Sequence, residues 1–335
     1  MTRYVRLLAI VAAFLGAMVW WVGRVDPGPG DGPNTGPNAS EMSDPAGNET
    51  SDPVVGVTDA GAAWIDEDWA IFESKVRWAA REGLAELEPG EAVGRLAESF
   101  VGTPYTPGTL EADGPEALVI NFREFDCVTF VENMLAMTRF IRAGGVDLLP
   151  DRAAAEARYG DHLTALRYRD GSLAGYSSRL HYFSEWLSDN AERGLVTVVT
   201  GELDPALDEE PIDFMSTHPD AYRQLTDPAV LEAIRSMEDR LNTMAPRSFV
   251  PQDRIGSIAE HIATGDVIAA TSTVEGLDIA HTGLALSVDG RLHMIHAPLV
   301  GSSVEISEVP LADRIRTISG QDGIMVARWS ERPDR

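Results

Sequence analysis

Phe125-Asp126-Cys127-Val128-Thr129-Phe130-Val131-Glu132-Asn133 holds the one cysteine of the sequence and sets it where a helix begins. Apolar side chains at Phe130, Val131, Met134, Leu135 and Ile141, with the methyl of Thr138, recur at helical spacing, so a helix runs from about residue 127 to the Gly144-Gly145 stop. Asp126 reads as its N-cap, with Phe125 and Phe130 at the two positions of a hydrophobic staple. Cys127 is then the first helical residue, where unpaired backbone N–H groups and the positive end of the helix dipole favour a thiolate and hence a nucleophile near neutral pH. A second reading stays open at this point: Cys127 shares a face with Phe130, Val131 and Met134, and free cysteine is among the most buried residue types.

The 335 residues, 44% of them hydrophobic, allow one large domain or two small ones with a sizeable core. A formal net charge of −26 excludes nucleic acid as a partner, since phosphate recognition needs clustered cations, and equally disfavours docking on anionic lipid. One cysteine excludes an intramolecular disulfide framework and a cysteine-rich zinc site. No metal or cofactor is expected.

Arg3 and Arg6 precede an apolar run from Leu7 to Val22 that closes with Trp20-Trp21 and Arg24. Residues 1–25 therefore read as a signal or membrane anchor, and the basic residues before the run keep that end in the cytoplasm and send the rest out of it. An uncleaved anchor is favoured, because no small-x-small cleavage site follows and paired tryptophans suit a membrane interface. The expected location is the periplasm or cell envelope, with membrane contact through this segment only. Residues 26–60, rich in Pro, Gly, Asn, Asp and Ser, cannot bury enough surface to offset chain entropy and read as a disordered linker.

Residues 61–335 carry the folded part. Helical spacing starts near Trp64 and again after Pro89, and both helices should pack on the cysteine helix. A turn-rich loop, Gly102-Thr103-Pro104-Tyr105-Thr106-Pro107-Gly108, leads through an expected strand at Ala117 to Asn121 and brings Tyr105 towards Cys127. Further helices are expected at Ser178 to Asn190 and Pro228 to Leu241, with a strand at Val196 to Thr200. The last third changes to short apolar or β-branched runs at 266–270, 280–288, 291–296 and 324–328. Helices first and an antiparallel sheet after make an α+β domain.

A cysteine nucleophile needs a base, and seven histidines are available. Asp289-Gly290 is a two-residue hairpin signal that pairs Val288 with Arg291 and, further from the turn, Gly283 with His296. His281 and His296 then share a sheet face as diagonal neighbours, with backbones roughly 7–8 Å apart, whereas His293 points to the other face. A base on one strand and its orienting partner on the next is the layout of a cysteine–histidine–polar triad.

Asp126-Cys127-x-Thr129-Phe130-Val131, Gly265-Asp266-Val267-Ile268, His281-Thr282-Gly283-Leu284-Ala285 and Met294-Ile295-His296-Ala297 resemble, in order and spacing, the NlpC-type papain-like cysteine peptidases of bacterial cell walls. Arg179-x-His181-Tyr182, Phe214-Met215-Ser216-x-His218-Pro219-x-x-Tyr222 and Gly276-Leu277-Asp278-Ile279 are similar to a narrower branch, first catalogued as a domain of unknown function. That branch is associated with N-acetylmuramoyl-L-alanine amidase activity on anhydro-muropeptides, as in wall recycling. The resemblance covers residues 65–335 and implies a papain-like fold in which helices bearing the cysteine pack on the sheet bearing the histidines. It implies Cys127 as nucleophile, His281 as general base and later acid, His296 as the residue orienting His281, and Tyr105 with the Cys127 N–H as oxyanion stabilisers. Val128-Thr129 replaces the usual small-residue step after the cysteine, and about 80 residues between Ser172 and Pro251 form a mainly helical insertion where simpler members have a short connection. Arg179, His181, His218 and Tyr222 are expected either to recognise sugar or stem-peptide carboxylates or to pin the insertion. The expected partner is a muropeptide or peptidoglycan. The competing readings are a γ-D-Glu–diaminopimelate endopeptidase of the same fold and a non-catalytic wall-binding module.

Overall fold

The computed structural model describes residues 64–330, so the expected anchor and linker lie outside the described residues. Two helices, α1 (Asp66–Arg81) and α2 (Pro89–Glu98), precede the cysteine helix α3 (Cys127–Arg142), and α4 (Arg152–Arg167) follows it. Their apolar stripes meet in one core in which Phe72, Leu96, Phe130, Met134, Phe140 and Tyr159 are wholly or almost wholly buried. Burial of each such side chain is worth about 1.5–3 kcal/mol, enough to override the modest helix propensity of the aromatic residues.

The remaining chain adds α5 (Phe183–Glu192), β1 (Val196–Val198), β2 (Ala206–Asp208), α6 (Phe214–Thr217), α7 (Pro228–Asn242) and β3 (Arg247–Pro251). After α8 (Ile255–Ile258) come β4 (Val267–Ser272), β5 (Ile279–Val288), β6 (Arg291–His296), β7 (Glu305–Ile306), α9 (Leu311–Thr317) and β8 (Gln321–Trp329). The strands form one antiparallel sheet in the order β2-β3-β8-β4-β5-β6-β7, with β1 also on β8. This is the α+β arrangement expected from the sequence.

Both faces of the sheet are covered. Val267, Ala269, Leu284, Leu286 and Ile295 pack with the cysteine helix, whereas Ile268, Ala270, Ala285, Met294 and Val326 pack with Leu311 and Ile315 of α9 and with Ile255 and Ile258 of α8. Alternating residues thus serve two cores, which is why β4 reads as an unbroken apolar run.

Two expectations need correction. Residues 117–121 form no strand, only a bridge residue at Val119: its carbonyl accepts a hydrogen bond from Arg167 Nη1 at 2.8 Å, so a buried guanidinium takes the place of a ladder partner. The helix expected from Ser178 begins at Phe183, because Arg179 bridges to Tyr168 and the Leu180 N–H donates to the Arg167 carbonyl, holding the chain extended beside the end of α4. The insertion is mainly helical, as expected. It has a core of its own around Tyr182, Phe214, Ile234 and Met237, but β1 and β3 both pair with β8 and weave it into the main sheet.

Candidate active site

At the head of α3 the Asp126 side chain accepts from the Thr129 N–H at 2.7 Å, and Thr129 Oγ1 accepts from the Asp126 N–H at 2.9 Å. This is a capping box with threonine in the third position, worth about 1 kcal/mol. Phe125 and Phe130 meet edge to face at 5.8 Å, completing the staple. Cys127 is therefore the first helical residue, as its sequence position indicates, and it is also buried, at 1% exposure.

Burial pushes the Cys127 thiol up to about 12; the Asp126 carboxylate adds to the rise, while the Thr282 N–H directed at the sulfur works against it. The expectation of a resting thiolate is thus corrected. The N-cap carboxylate takes the Thr129 N–H and adds its own charge, and the sulfur is buried. Cys127 rests as a neutral thiol.

The expected histidine pair lies on the hairpin. Asp289 (φ 50°) and Gly290 (φ 76°) form the turn, and Val288 faces Arg291 with Leu284 opposite Ile295, the register expected from the sequence. His281 Nε2 lies 2.9 Å from His296 Nδ1, the rings nearly perpendicular at 85°. Gly283 makes this approach possible: a Cβ there would stand 2.8 Å from the His296 Cβ. A register shift at Ala270–Thr271, opposite Ile279 and His281, bends the start of β5 where His281 is mounted. The N–H directed at Cys127 belongs to Thr282, the residue next to His281, so the thiol lies against the strand that carries this histidine.

Both imidazoles are buried, and burial first, then the Arg314 charge, holds their protonation well below the usual histidine range. His296 Nε2 has no hydrogen-bond partner. His293, on the opposite parity, has its Nδ1 2.8 Å from the Ser307 carbonyl and serves the sheet edge.

Tyr105 is stitched in from two sides. Its N–H donates to the Ser302 carbonyl, and it bridges in parallel to Phe125, whose N–H donates to the Pro104 carbonyl at 3.0 Å. Burial, then the proximity of Cys127 and Asp126, raises its hydroxyl far above the ordinary value, so it stays protonated and able to donate.

A cavity of about 630 Å³ adjoins this centre, walled by Asp126 and Val128 on either side of the cysteine and by the insertion opposite. Of the four expected recognition residues, Arg179, His181 and Tyr222 line it and His218 does not. Arg179 is already engaged by Glu111 and the Leu110 carbonyl, with Glu116 at 3.7 Å, and its guanidinium lies over the Tyr176 ring. It shapes the wall as a paired cation. His181 Nε2 bonds the Tyr176 carbonyl at 2.8 Å, and burial followed by the Arg179 charge keeps the ring neutral. His218 instead stacks on Phe214 and has its Nδ1 3.0 Å from the Phe214 carbonyl, capping the short helix α6. The sequence reading missed Glu111, Tyr176 and Arg223 in the cavity wall and Arg314 behind the histidines; no motif marks them, since each is placed by packing between distant elements.

Comparison with known proteins agrees with this geometry. Residues 95–324 match the family described as AmiA-like, N-acetylmuramoyl-L-alanine amidase-like. An N-acetylmuramoyl-L-alanine amidase from Bacteroides uniformis is similar at a TM-score of 0.66 and 34% identity, covering 72% of this chain and 99% of that one. A Bacteroides fragilis protein provisionally named a xylanase is similar at 0.61 and 35%, covering 69% of this chain and 98% of that one. A Legionella pneumophila protein of the DUF1460 family, at 0.54 and 19% over 78% of this chain and 95% of that one, shares the fold. No curated protein matches the chain. With the family match spanning most of the chain and the Bacteroides uniformis structure aligned over nearly its whole length, this chain belongs to the N-acetylmuramoyl-L-alanine amidase-like family.

Proposed function

We propose that this chain, a peptidoglycan hydrolase by its family, cleaves the amide between N-acetylmuramic acid and L-alanine in anhydro-muropeptides by covalent catalysis at Cys127. One observation carries the reading: the 2.9 Å contact between His281 and His296, mounted next to an N–H directed at the Cys127 sulfur. With both rings neutral, a proton on His281 Nε2 shared with His296 Nδ1 leaves His281 Nδ1 with a lone pair. That nitrogen takes the thiol proton as sulfur attacks the lactyl carbonyl. The Cys127 N–H and the Tyr105 hydroxyl stabilise the oxyanion. His281 then returns its proton to the departing alanine nitrogen, and water, activated by the same ring, releases the acyl group from sulfur. The NlpC-type papain-like relationship is part of this reading, and the motif order supports it.

The cavity receives the substrate beside the scissile bond, with neutral His181 and Tyr222 as contacts and Arg179 holding the wall in shape. Arg3, Arg6 and the apolar run Leu7 to Val22 support an exported, membrane-tethered enzyme working in the cell envelope.

Digestion of a defined anhydro-muropeptide followed by mass spectrometry tests the bond. Free anhydro-sugar plus an intact stem peptide is the expected product pair. Sugar still bearing L-Ala-D-Glu identifies a γ-D-Glu–diaminopimelate endopeptidase instead, and retention without turnover identifies a binding module.

A further inference from the structure

Arg314 sits on α9 between Leu311 and Ile315, both fully buried in the core that this helix shares with Met294 of β6. Positions three after Leu311 and one before Ile315 lie on the side of the helix turned to the sheet. By strand parity Met294 and His296 leave β6 on that same face, and His281 joins them through its contact with His296. The guanidinium has one long side-chain hydrogen bond, Nη1 to Gln321 Oε1 at 3.4 Å, and no carboxylate in ion-pair contact among the described residues. The acid of its own helix, Asp313, is engaged by Arg316 at 3.3 Å and Arg291 at 4.0 Å. A half-buried cation that is steadied only by the exposed Glu305, with no carboxylate in ion-pair contact among the described residues, is costly to maintain.

The charged and titratable groups around the histidine pair are few. α3 contributes Cys127 and Asp126, the preceding loop Tyr105, β7 the exposed Glu305 opposite His296, and α9 Arg314 itself. Of these, Arg314 is the one permanent cation.

We propose that Arg314 is a positioning residue of the reaction: its fixed charge behind the sheet keeps a second proton off the His281–His296 pair, so His281 stays available as base and becomes a strong acid towards the leaving amine once protonated. The kinetic consequence rests on the amidase reading; the charge relation between Arg314 and the rings does not. The position of Arg314 on the face of α9 turned to the strand that carries His296 supports it, as does the second place of Arg314, after burial, among the causes that hold both imidazoles below their ordinary range. The same cation favours negative sulfur at Cys127, so one charge assists both partners in the proton transfer: it holds the acceptor unprotonated at rest and steadies the donor once ionised.

The experiment separates charge from structure. In the full-length Cys127→Ala protein, imidazole signals are followed by nitrogen NMR across pH, with and without Arg314→Gln, Arg314→Met and Arg314→Lys. The apparent titration of the pair should rise by about one pH unit in the Gln and Met variants and stay within a few tenths in the Lys variant. Met retains the apolar stem against Leu311 and Ile315, so it reads the charge if Gln fails to fold. In the cysteine-containing protein the acid limb of kcat/KM should move to higher pH in the same variants. An unchanged titration in a folded Gln or Met variant, or a Lys variant that behaves like them, overturns the proposal. Failure of the wild type to turn over any muropeptide overturns the amidase reading alone, because the NMR titration needs no substrate.

Discussion

Charge is buried on both sides of Cys127, and the two sides treat it in opposite ways. Towards the insertion it is paired: Arg167 Nε meets Glu132 at 2.7 Å with both side chains 2% exposed, and Arg179 is held by Glu111 and Glu116. Towards the sheet it is left without close partners: among the described residues Arg314 has no carboxylate in ion-pair contact and His296 Nε2 no hydrogen-bond partner, and the thiol and both imidazoles rest neutral. Paired charges make a rigid wall, since the guanidinium groups are held by carboxylates and backbone carbonyls. Unpaired groups keep donors and acceptors free for a reaction. The contrast separates the residues that build the cavity from those that act at its edge.

The largest expected effects fall on the unpaired side. Cys127→Ala and His281→Ala should each lower turnover by about 10⁴-fold or more while circular dichroism and the unfolding midpoint stay close to wild type. Loss of folding in either variant would move these residues to the structural side of the comparison. Next comes the paired side. Arg167→Ala or Glu132→Ala strands a buried charge and should cost about 3–5 kcal/mol in urea unfolding, whereas Arg167→Met with Glu132→Leu together should recover most of it. A double variant no better than the singles means the pair is more than a filler of the wall.

Intermediate effects test roles within the histidine set. His296→Asn should keep a measurable part of the rate, because an amide oxygen still accepts from His281 Nε2, and His296→Ala should fall closer to His281→Ala. His293→Ala should leave turnover near wild type, since its partner is the Ser307 carbonyl. The reverse order would break the assignment of faces across the Asp289-Gly290 turn.

A smaller effect is read in stability against pH. Burial, then Arg314, places both imidazoles well below the unfolded value of about 6.5, so the unfolded chain binds protons that the native one refuses as pH falls below that value. Their contribution to stability is complete above it and is lost on acidification towards the folded values. Buried carboxyls raised by desolvation, such as Asp126 and Glu132, act with the opposite sign, so the difference between wild type and His281→Asn with His296→Asn is the quantity to measure. The double variant should show the flatter acid slope. Smallest of all, His218→Ala should leave the rate unchanged and lower the unfolding midpoint slightly, as expected of a ring that caps α6 outside the cavity.

Local rules carried far along this chain. The start of α3 was legible because its signals lie within six residues of each other: Phe125, Asp126, Thr129 and Phe130 make the staple and cap without help from elsewhere. The histidine pair was legible for a similar reason. A two-residue turn sets the register of both its strands, so positions fifteen residues apart could be brought face to face by counting.

Where the sequence reading failed, the deciding partner was remote. Residues 117–121 look like a strand until Arg167, 48 residues on, takes the Val119 carbonyl. Arg179 and His218 carry equal motif weight, yet one lines the cavity and the other caps a four-residue helix, according to which carbonyls and rings the insertion brings to each. The thiol shows the division most clearly. Its place at a helix start follows from the sequence, and by local rules that place favours a thiolate. Its protonation follows from burial under β5 and beside the Asp126 carboxylate, and those depend on how the sheet closes over α3. Hydrogen-bonded turns and caps are short-range and survive in any context, whereas the field at an atom sums over everything folded around it, so only the tertiary structure decided that Cys127 rests as a neutral thiol.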